Sequence, residues 1–345
     1  MRQFGFLYPG LGLDHADIVQ AINGADNDVA QVVLAEAHST PADGIIISSE
    51  GLSNLKPSRV REWFSDFHVE IIVYLREQAD AFISAYQQDV KGHLESASFA
   101  EYAARYLVDY HVFLSRWANV FGRKNLHVRI YDRSELVGGD VVSDFLALLG
   151  INDVTGFACN GPDLNPSLAG APLEAKRRLN YLCDPRSEYK LLEATYAYLM
   201  EAAASDPANR GRMPVDEDLV EAIRARHAPS NEAVAIDFLG RDVAFQLKPV
   251  AGRAQPIDEA RVAEFFDRLQ QLAIANGVVY SQRARAEGWR ERAKQDASPD
   301  AFPAILSEFD AIAAVDHPAE AWWSATQTPR AALRKVLAKS GDELG

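Results

Sequence analysis

Residues 68–92, HVEIIVYLREQADAFISAYQQDVKG, contain the pattern of a strand followed directly by a helix. The strand part is a nearly continuous apolar run, which is typical of a parallel strand covered on both faces. It is predicted to end at Arg76. The stretch 77–90 spaces its apolar side chains along one stripe of a helix, and Gly92 is placed to end that helix. The segment therefore predicts an α/β fold, with a parallel sheet flanked by helices.

Arg76 and Ser84 are the polar residues of this segment with the clearest chemical use. Open parallel sheets bind ligands at the carboxyl ends of their strands, where Arg76 is expected to lie. A guanidinium binds a phosphate through two hydrogen bonds, and a nearby serine hydroxyl adds a third donor. The pair predicts a phosphate clamp. The alternative is an arginine in a surface salt bridge and a serine on a helix surface.

Composition sets the class of protein. The chain has 345 residues, 48% of them hydrophobic, and no run of 18 apolar residues, so no membrane span is predicted. This length suits one large domain or two smaller ones. The formal net charge of −14 disfavours broad binding to nucleic acid or to an anionic membrane. An anionic ligand would have to be held by a few local cations.

Two further features bear on metals and location. Cys159 and Cys183 have neither the spacing of a zinc site nor the density of a disulfide scaffold, so no metal is predicted. The start MRQFGFLYPGLG lacks an apolar segment long enough for a signal peptide, which makes a cytoplasmic location the default expectation.

Strand and helix patterns alternate up to about residue 150, after which helix dominates. The predicted strands are 44–47, 69–75 and 126–131. The predicted helices are 13–23, 28–37, 57–67, 77–90, 98–121 and 140–149, followed by helices within 184–240, 258–295 and 304–339. Ser98 and Glu101 form a candidate capping box. Residues 245–255 have the composition of a linker. Two parts are expected, an α/β domain over 1–245 and a helical C-terminal extension over 246–345.

Four separated segments resemble, in order, the bacterial branch of the sulfotransferases that use PAPS (3′-phosphoadenosine 5′-phosphosulfate). They are YLREQADAFISAYQQDVK at 74–91, YHVFLSRWANVFGRKNLHVRIYDRSELVGGDVVSDFLALLG at 110–150, NPSLAGAPLEAKRRLN at 165–180 and RHAPSNEAVAIDFLGR at 226–241. The similarity covers roughly residues 4–245 and leaves the last hundred residues unmatched. It implies a doubly wound core of the P-loop nucleotide-kinase type.

The resemblance also implies site residues. The family holds the 3′-phosphate of PAPS with an arginine at a strand end and a serine about eight residues later, which are Arg76 and Ser84 here. The segment NPSLAG, with Asn165 and Ser167, resembles the loop that closes over the nucleotide. Its alternative is an ordinary helix start, with the Lys and Arg run at 176–178 as a wetted face. Tyr86 is expected in the core, and Lys91 is expected in solvent.

Sulfuryl transfer is an in-line displacement, so the acceptor hydroxyl needs a base and the leaving phosphate needs positive charge. Glu50, in IIISSEGLS at a strand end, is the predicted base. The alternative makes Ser49 and Glu50 caps of the next turn. His15 and His38 are weaker candidates for the base.

Sulfotransferases of this branch begin with a strand, a Gly- and Thr-rich loop containing a lysine, and a helix; that loop holds the 5′-phosphosulfate. The segment FGFLYPGLG has no lysine, serine or threonine of this kind, and is better interpreted as a turn. Three interpretations are open. Met1 is an internal methionine of a longer product, residues 2–8 replace the strand, or the protein is a degenerate homologue; the first is favoured.

The expected function is transfer of a sulfuryl group from PAPS to a hydroxyl of a carbohydrate or similar polar acceptor. Its partners would be the nucleotide donor and an acceptor, most plainly a glycan, with no nucleic acid and no metal. One alternative is a catalytically inactive homologue that acts as a binding or interaction protein. Another keeps the nucleotide fold and transfers phosphoryl groups from ATP. The oligomeric state does not follow from the sequence.

Overall fold

The computed structural model describes residues 5–9, 15–24, 28–151, 166–248 and 257–281, and α-helices dominate this part of the chain. Its α-helices are α1 (Ala16–Ile22), α2 (Asp28–Ser39), α3 (Pro57–Trp63), α4 (Gln78–Gly92), α5 (Phe99–Arg105), α6 (Tyr110–Phe121), α7 (Val141–Leu148), α8 (Gly170–Leu182), α9 (Glu188–Ser205), α10 (Glu217–Val234) and α11 (Glu259–Ala275). Its strands are β1 (Phe6–Leu7), β2 (Gly44–Ile45), β3 (Ile71–Leu75) and β4 (Leu126–Ile130).

The described strands form two parallel pairs, β1 with β2 and β3 with β4. In the second pair Ile71 lies opposite Leu126 and Leu75 lies opposite Ile130. Parallel strands with intervening helices confirm the coarse α/β prediction. Strand β1 falls within residues 2–8, the segment that one interpretation of the sequence offered as a replacement strand.

The chain divides into two compact units. The first combines the described residues within Met1–Gln78, Leu107–Gly161 and Arg224–Lys248. Its apolar core is made by α1, α3, α6, the β3–β4 pair and the C-terminal part of α10, with Trp117 stacked on Phe121 at 5.7 Å between ring centroids. The division falls at the start of α4 and within α10.

The β3–β4 pair has a different chemistry on each face, because successive side chains of a strand alternate. Leu75 and Ile130 belong to the apolar core. On the other face Tyr74 lies opposite Arg129, and both donate hydrogen bonds to Asp144 of α7. A fully buried carboxylate thus joins α7 to the sheet.

The second unit combines the described residues within Ala79–Tyr106, Pro162–Ile223 and Pro249–Gly345. Helix α11 packs against α8 and α9. Tyr86 is buried, with its ring 5.4 Å from that of Phe99 and 5.2 Å from that of Tyr102, as expected for a core residue. One cut between the units falls at Lys248–Pro249, but the second unit also contains Ala79–Tyr106 and Pro162–Ile223, so the division into 1–245 and 246–345 stays a prediction.

The predicted single helix over 98–121 is wrong, because α5 ends at Arg105 and α6 begins at Tyr110. The backbone is extended at Tyr106, and the Asp109 side chain caps α6 by accepting a hydrogen bond from the Val112 N–H at 2.9 Å. Two other N–H groups near this start are bonded by α10: that of Val108 donates to His227 and that of His111 to Ser230. These distant partners favour a second helix start.

Several predicted ends are confirmed. The capping box of Ser98 and Glu101 is present at the start of α5, and Gly122 follows the last residue of α6. The predicted helix 304–339 and most of the predicted linker lie outside the described residues. Among the described helices, none has the length and apolar content that crossing a membrane requires.

Candidate functional site

Arg76 follows the last residue of β3, at the carboxyl end of the β3–β4 pair. The neighbouring strand ends level with it, since the Tyr131 N–H donates to the Leu75 carbonyl at 2.7 Å. The half-buried Arg76 guanidinium lies 5.9 Å from the centre of the Tyr131 ring, a distance at which a cation and a ring attract each other. Within the described residues no carboxylate pairs with Arg76. The structure therefore places a cation at a strand end, as the sequence predicted.

The carboxylates next to this strand edge have cationic partners. Asp132 lies 2.5 Å from the Lys248 ammonium, and this contact holds the pKa of Asp132 at about 2, well below its usual range. Glu77 lies 3.8 Å from the Arg224 guanidinium, and both side chains are 10% exposed. Because these two negative charges are compensated, they leave Arg76 available to an anion.

The structure does not show the other predicted phosphate ligands, Ser84, Ser167 and Asn165, together with Arg76. Ser84 lies within α4, and its half-buried hydroxyl has no hydrogen-bond partner among the described residues. It belongs to the second unit, whereas Arg76 belongs to the first, so the clamp formed by the two stays a prediction. Ser167 is exposed, just before α8. Asn165 lies outside the described residues.

Glu50 is exposed and is the first residue of a 3-10 turn, Glu50–Asn54, that comes after β2. The Ser49 hydroxyl caps this turn by accepting a hydrogen bond from the Gly51 N–H at 3.3 Å. The capping alternative is thus realised by Ser49. The Glu50 carboxylate has no partner within the part of the chain that the structure describes, and its role as a base stays a prediction.

His15 is a structural residue. Its ring is 4% exposed; Nε2 lies 2.9 Å from the Pro9 carbonyl, and Nδ1 lies 3.0 Å from the Ser48 N–H. A proton on Nε2 satisfies both contacts, so neither nitrogen is left to accept a proton from a substrate. His38 is exposed and packs against the Phe67 ring at 4.8 Å.

The predicted solvent exposure of Lys91 is wrong, as is the alternative of a wetted Lys176. Each side chain is 1% exposed. The Lys91 ammonium donates to the Pro166 carbonyl at 3.2 Å. The Lys176 ammonium donates to the Val90 carbonyl at 3.3 Å and to the Asn180 amide oxygen. Each lysine buries its long stem in the second unit and satisfies its charge with carbonyl oxygens.

The residues that hold the Arg76 backbone were not predicted from the sequence. The Tyr110 hydroxyl donates to the Arg76 carbonyl at 2.8 Å. Gln78, at the start of α4, exchanges two hydrogen bonds with Asn231 of α10. A signal was present: Arg224, His227 and Asn231 recur three and four residues apart, which places polar side chains on one face of a helix.

Among the described residues, no group of three or more His, Cys, Asp or Glu side chains has an arrangement that could hold a metal ion. At the carboxyl end of β3 and β4, Arg76 and Tyr131 present a cation and an aromatic ring, which suit an anionic ligand, while the neighbouring carboxylates of Asp132 and Glu77 face cations.

Comparison with known proteins gives little functional information. No family model matches the chain, and no solved structure matches it. An uncharacterized protein of Archaeoglobus fulgidus is 33% identical over 162 residues, which are 46% of this chain and 43% of that protein. The chain thus matches less than half the length of this relative. Since the relative carries no functional description, the similarity transfers no activity to this chain.

Proposed function

We propose that this protein binds PAPS and acts as a sulfotransferase, moving a sulfuryl group to a hydroxyl of a carbohydrate or similar polar acceptor. The observation that carries the proposal is the Arg76 guanidinium. It follows β3 at the carboxyl end of a parallel strand pair, and it has no carboxylate partner among the described residues. In a chain of net charge −14, such a cation is the kind of local feature that binding an anion requires.

The residues fit one end of the proposed nucleotide. A guanidinium presents two parallel N–H donors to a phosphate, and the Tyr131 ring beside it limits the orientations of those donors. Tyr131 is 46% exposed, so ring and cation are both accessible from the same strand edge. We assign Arg76 to the 3′-phosphate and retain Ser84, Asn165 and Ser167 as further proposed ligands.

The proposed reaction is an in-line displacement at sulfur. The acceptor oxygen forms a bond to sulfur, the bond from sulfur to the 5′-phosphate oxygen breaks, and adenosine 3′,5′-bisphosphate leaves with the electron pair. A base accepts the acceptor's proton. Glu50 is the proposed base because its carboxylate is exposed and it begins the turn that comes after β2, which ends at Ile45. The same nucleotide fold with bound ATP would transfer a phosphoryl group instead, so donor preference discriminates between the two reactions.

The experiment is calorimetric titration with adenosine 3′,5′-bisphosphate, PAPS and ATP. We expect Arg76→Ala to weaken bisphosphate binding about tenfold or more, the scale of a lost charge-assisted phosphate contact. Arg76→Lys should lose less, because it keeps the charge but not the paired donors. Arg116→Ala removes the same charge from an exposed position of α6 and should leave the dissociation constant within about twofold.

Three results would contradict the proposal. They are no heat of binding with the bisphosphate, equal losses in Arg76→Ala and Arg116→Ala, or preference for ATP. Binding followed by no transfer of labelled sulfate from PAPS to a panel of oligosaccharides would favour the inactive binding protein.

A further inference from the structure

The backbone that carries Arg76 is held by side chains from two distant parts of the first unit. Gln78, two residues after Arg76, is 1% exposed. Its amide nitrogen donates to the Asn231 side-chain oxygen at 2.7 Å, and the Asn231 amide nitrogen donates back at 2.9 Å. A reciprocal amide pair fixes both side chains in one orientation, because turning either amide over would place donor against donor.

The same face of α10 also contacts the start of α6, the helix whose Tyr110 donates a hydrogen bond to the Arg76 carbonyl. His227 accepts a hydrogen bond from the Val108 N–H at 3.3 Å, and the Ser230 hydroxyl donates to Asp109 at 2.8 Å. These contacts fix the start of α6, where the Tyr110 hydroxyl donates to the Arg76 carbonyl. Arg76 is therefore connected to α10 by two routes, one through Gln78 and one through Tyr110.

These hydrogen bonds are partly buried, and Gln78 and His227 are themselves buried, so breaking them leaves polar groups with little water to replace the lost partner. A helix can begin after a strand without any of these side-chain hydrogen bonds. The polar face of α10 thus makes several partly buried hydrogen bonds to the residues that flank one partly exposed arginine.

We propose that Gln78 and Asn231 are positioning residues, whose amide pair fixes the backbone at Arg76 so that its guanidinium is oriented for a phosphate. The inference rests on the proposed function, because it gives Arg76 the phosphate as its ligand. The pair itself does not contact the ligand.

The test compares Asn231→Ala with Asn125→Ala. Asn125 also donates a side-chain hydrogen bond within the first unit, to the Phe121 carbonyl at 2.7 Å, but it makes no hydrogen bond to the described residues 76–78. We expect Asn231→Ala to weaken adenosine 3′,5′-bisphosphate binding about fivefold or more, the scale of a lost hydrogen bond. Asn125→Ala should leave binding within about twofold at a comparable loss of thermal stability.

A swapped pair provides the rescue. Gln78→Asn combined with Asn231→Gln keeps two amides and the same total side-chain length, so binding should return to within about twofold of the original protein. Equal binding losses in Asn231→Ala and Asn125→Ala, or failure of the swapped pair to restore binding in a folded protein, would overturn the inference.

Amide hydrogen exchange separates this inference from the proposed function, because it needs no ligand. Exchange at residues 75–79 should become about tenfold faster in Asn231→Ala and stay unchanged in Asn125→Ala. If the original protein fails to bind the bisphosphate while this exchange pattern appears, the proposed function is contradicted. The role of the Gln78–Asn231 pair in holding the backbone at residues 76–78 is then still supported. If binding occurs and the exchange does not change, the positioning role fails alone.

Discussion

At the scale of single residues, the buried polar groups carry the clearest energetic consequences. Asp144 is fully buried, and its carboxylate accepts hydrogen bonds from the Tyr74 hydroxyl, from two nitrogens of Arg129 and from the Val137 N–H. Despite its burial, these donors hold the pKa of Asp144 below its usual value. The carboxylate is thus satisfied as an ion, and removing it would leave its donors without an acceptor.

We expect Asp144→Ala to lower the free energy of unfolding by about 2 to 4 kcal/mol. This loss is smaller than for a fully buried ion pair, because the Arg129 guanidinium still reaches water. Tyr74→Phe removes one of the donors and should cost about 1 kcal/mol. Urea unfolding of both variants measures the difference. Equal costs for the two substitutions would contradict the account of a carboxylate shared by several donors.

Lys176 predicts a pH dependence. Burial lowers the pKa of its ammonium from 10.5 to about 7. The unfolded chain therefore binds more protons at this residue between about pH 7 and pH 10.5, so the free energy of unfolding should rise with pH across that window. Lys176→Met should remove this part of the rise, whereas Lys190→Met, at an exposed position of α9, should keep it. Urea unfolding at pH 6.5 to 9.5 measures the slope of the unfolding free energy against pH, which should reflect about one proton. The same slope in Lys176→Met as in the original protein would refute this prediction.

At the scale of elements, most strand and helix positions follow from local pattern, and the misplaced boundary does not. The apolar run at 69–75 predicted β3, and Ser98 with Glu101 predicted the start of α5, because both depend on neighbours in sequence. The break between α5 and α6 depends on His227 and Ser230, which lie more than a hundred residues away. Within residues 98–121 the Asp109 cap is the local sign of the second helix start, and the partners from α10 cannot be inferred from that segment.

Two glycines at helix ends look alike in sequence and differ in conformation. Gly122 has φ of 89° and ψ of 140°, a backbone conformation that residues with a side chain rarely adopt. Gly92 is the last residue of α4, and its φ is not positive. We expect Gly122→Ala to destabilise the protein by about 1 to 3 kcal/mol. Gly92→Ala should change stability by less than about 1 kcal/mol. Thermal unfolding of the two variants compares them, and a larger loss in Gly92→Ala would contradict the assignment.

At the scale of the whole molecule, the position of Arg76 could be predicted from the sequence, whereas the residues that surround and hold it could not. Arg76 follows an apolar run, so its position at a strand end could be read from the chain. Tyr131, Gln78 and Asn231 join the site through tertiary contacts between segments that are far apart in sequence. The buried lysines show the same limit, because a Lys on an amphipathic helix gives no local sign that carbonyl oxygens from another segment will enclose its ammonium.

The separation of Gln78 and Asn231 by 153 residues also has a consequence for biosynthesis. At roughly 5 to 20 residues per second, a ribosome adds those residues in roughly 8 to 30 s. Throughout that interval the nascent chain contains β3 and Arg76, and from residue 130 onward also β4, but it lacks the asparagine that holds the backbone at residues 76–78. The proposed phosphate contact of Arg76 would therefore be fixed only late in translation, and a nascent chain stalled before α10 would expose the backbone at residues 76–78 to proteases.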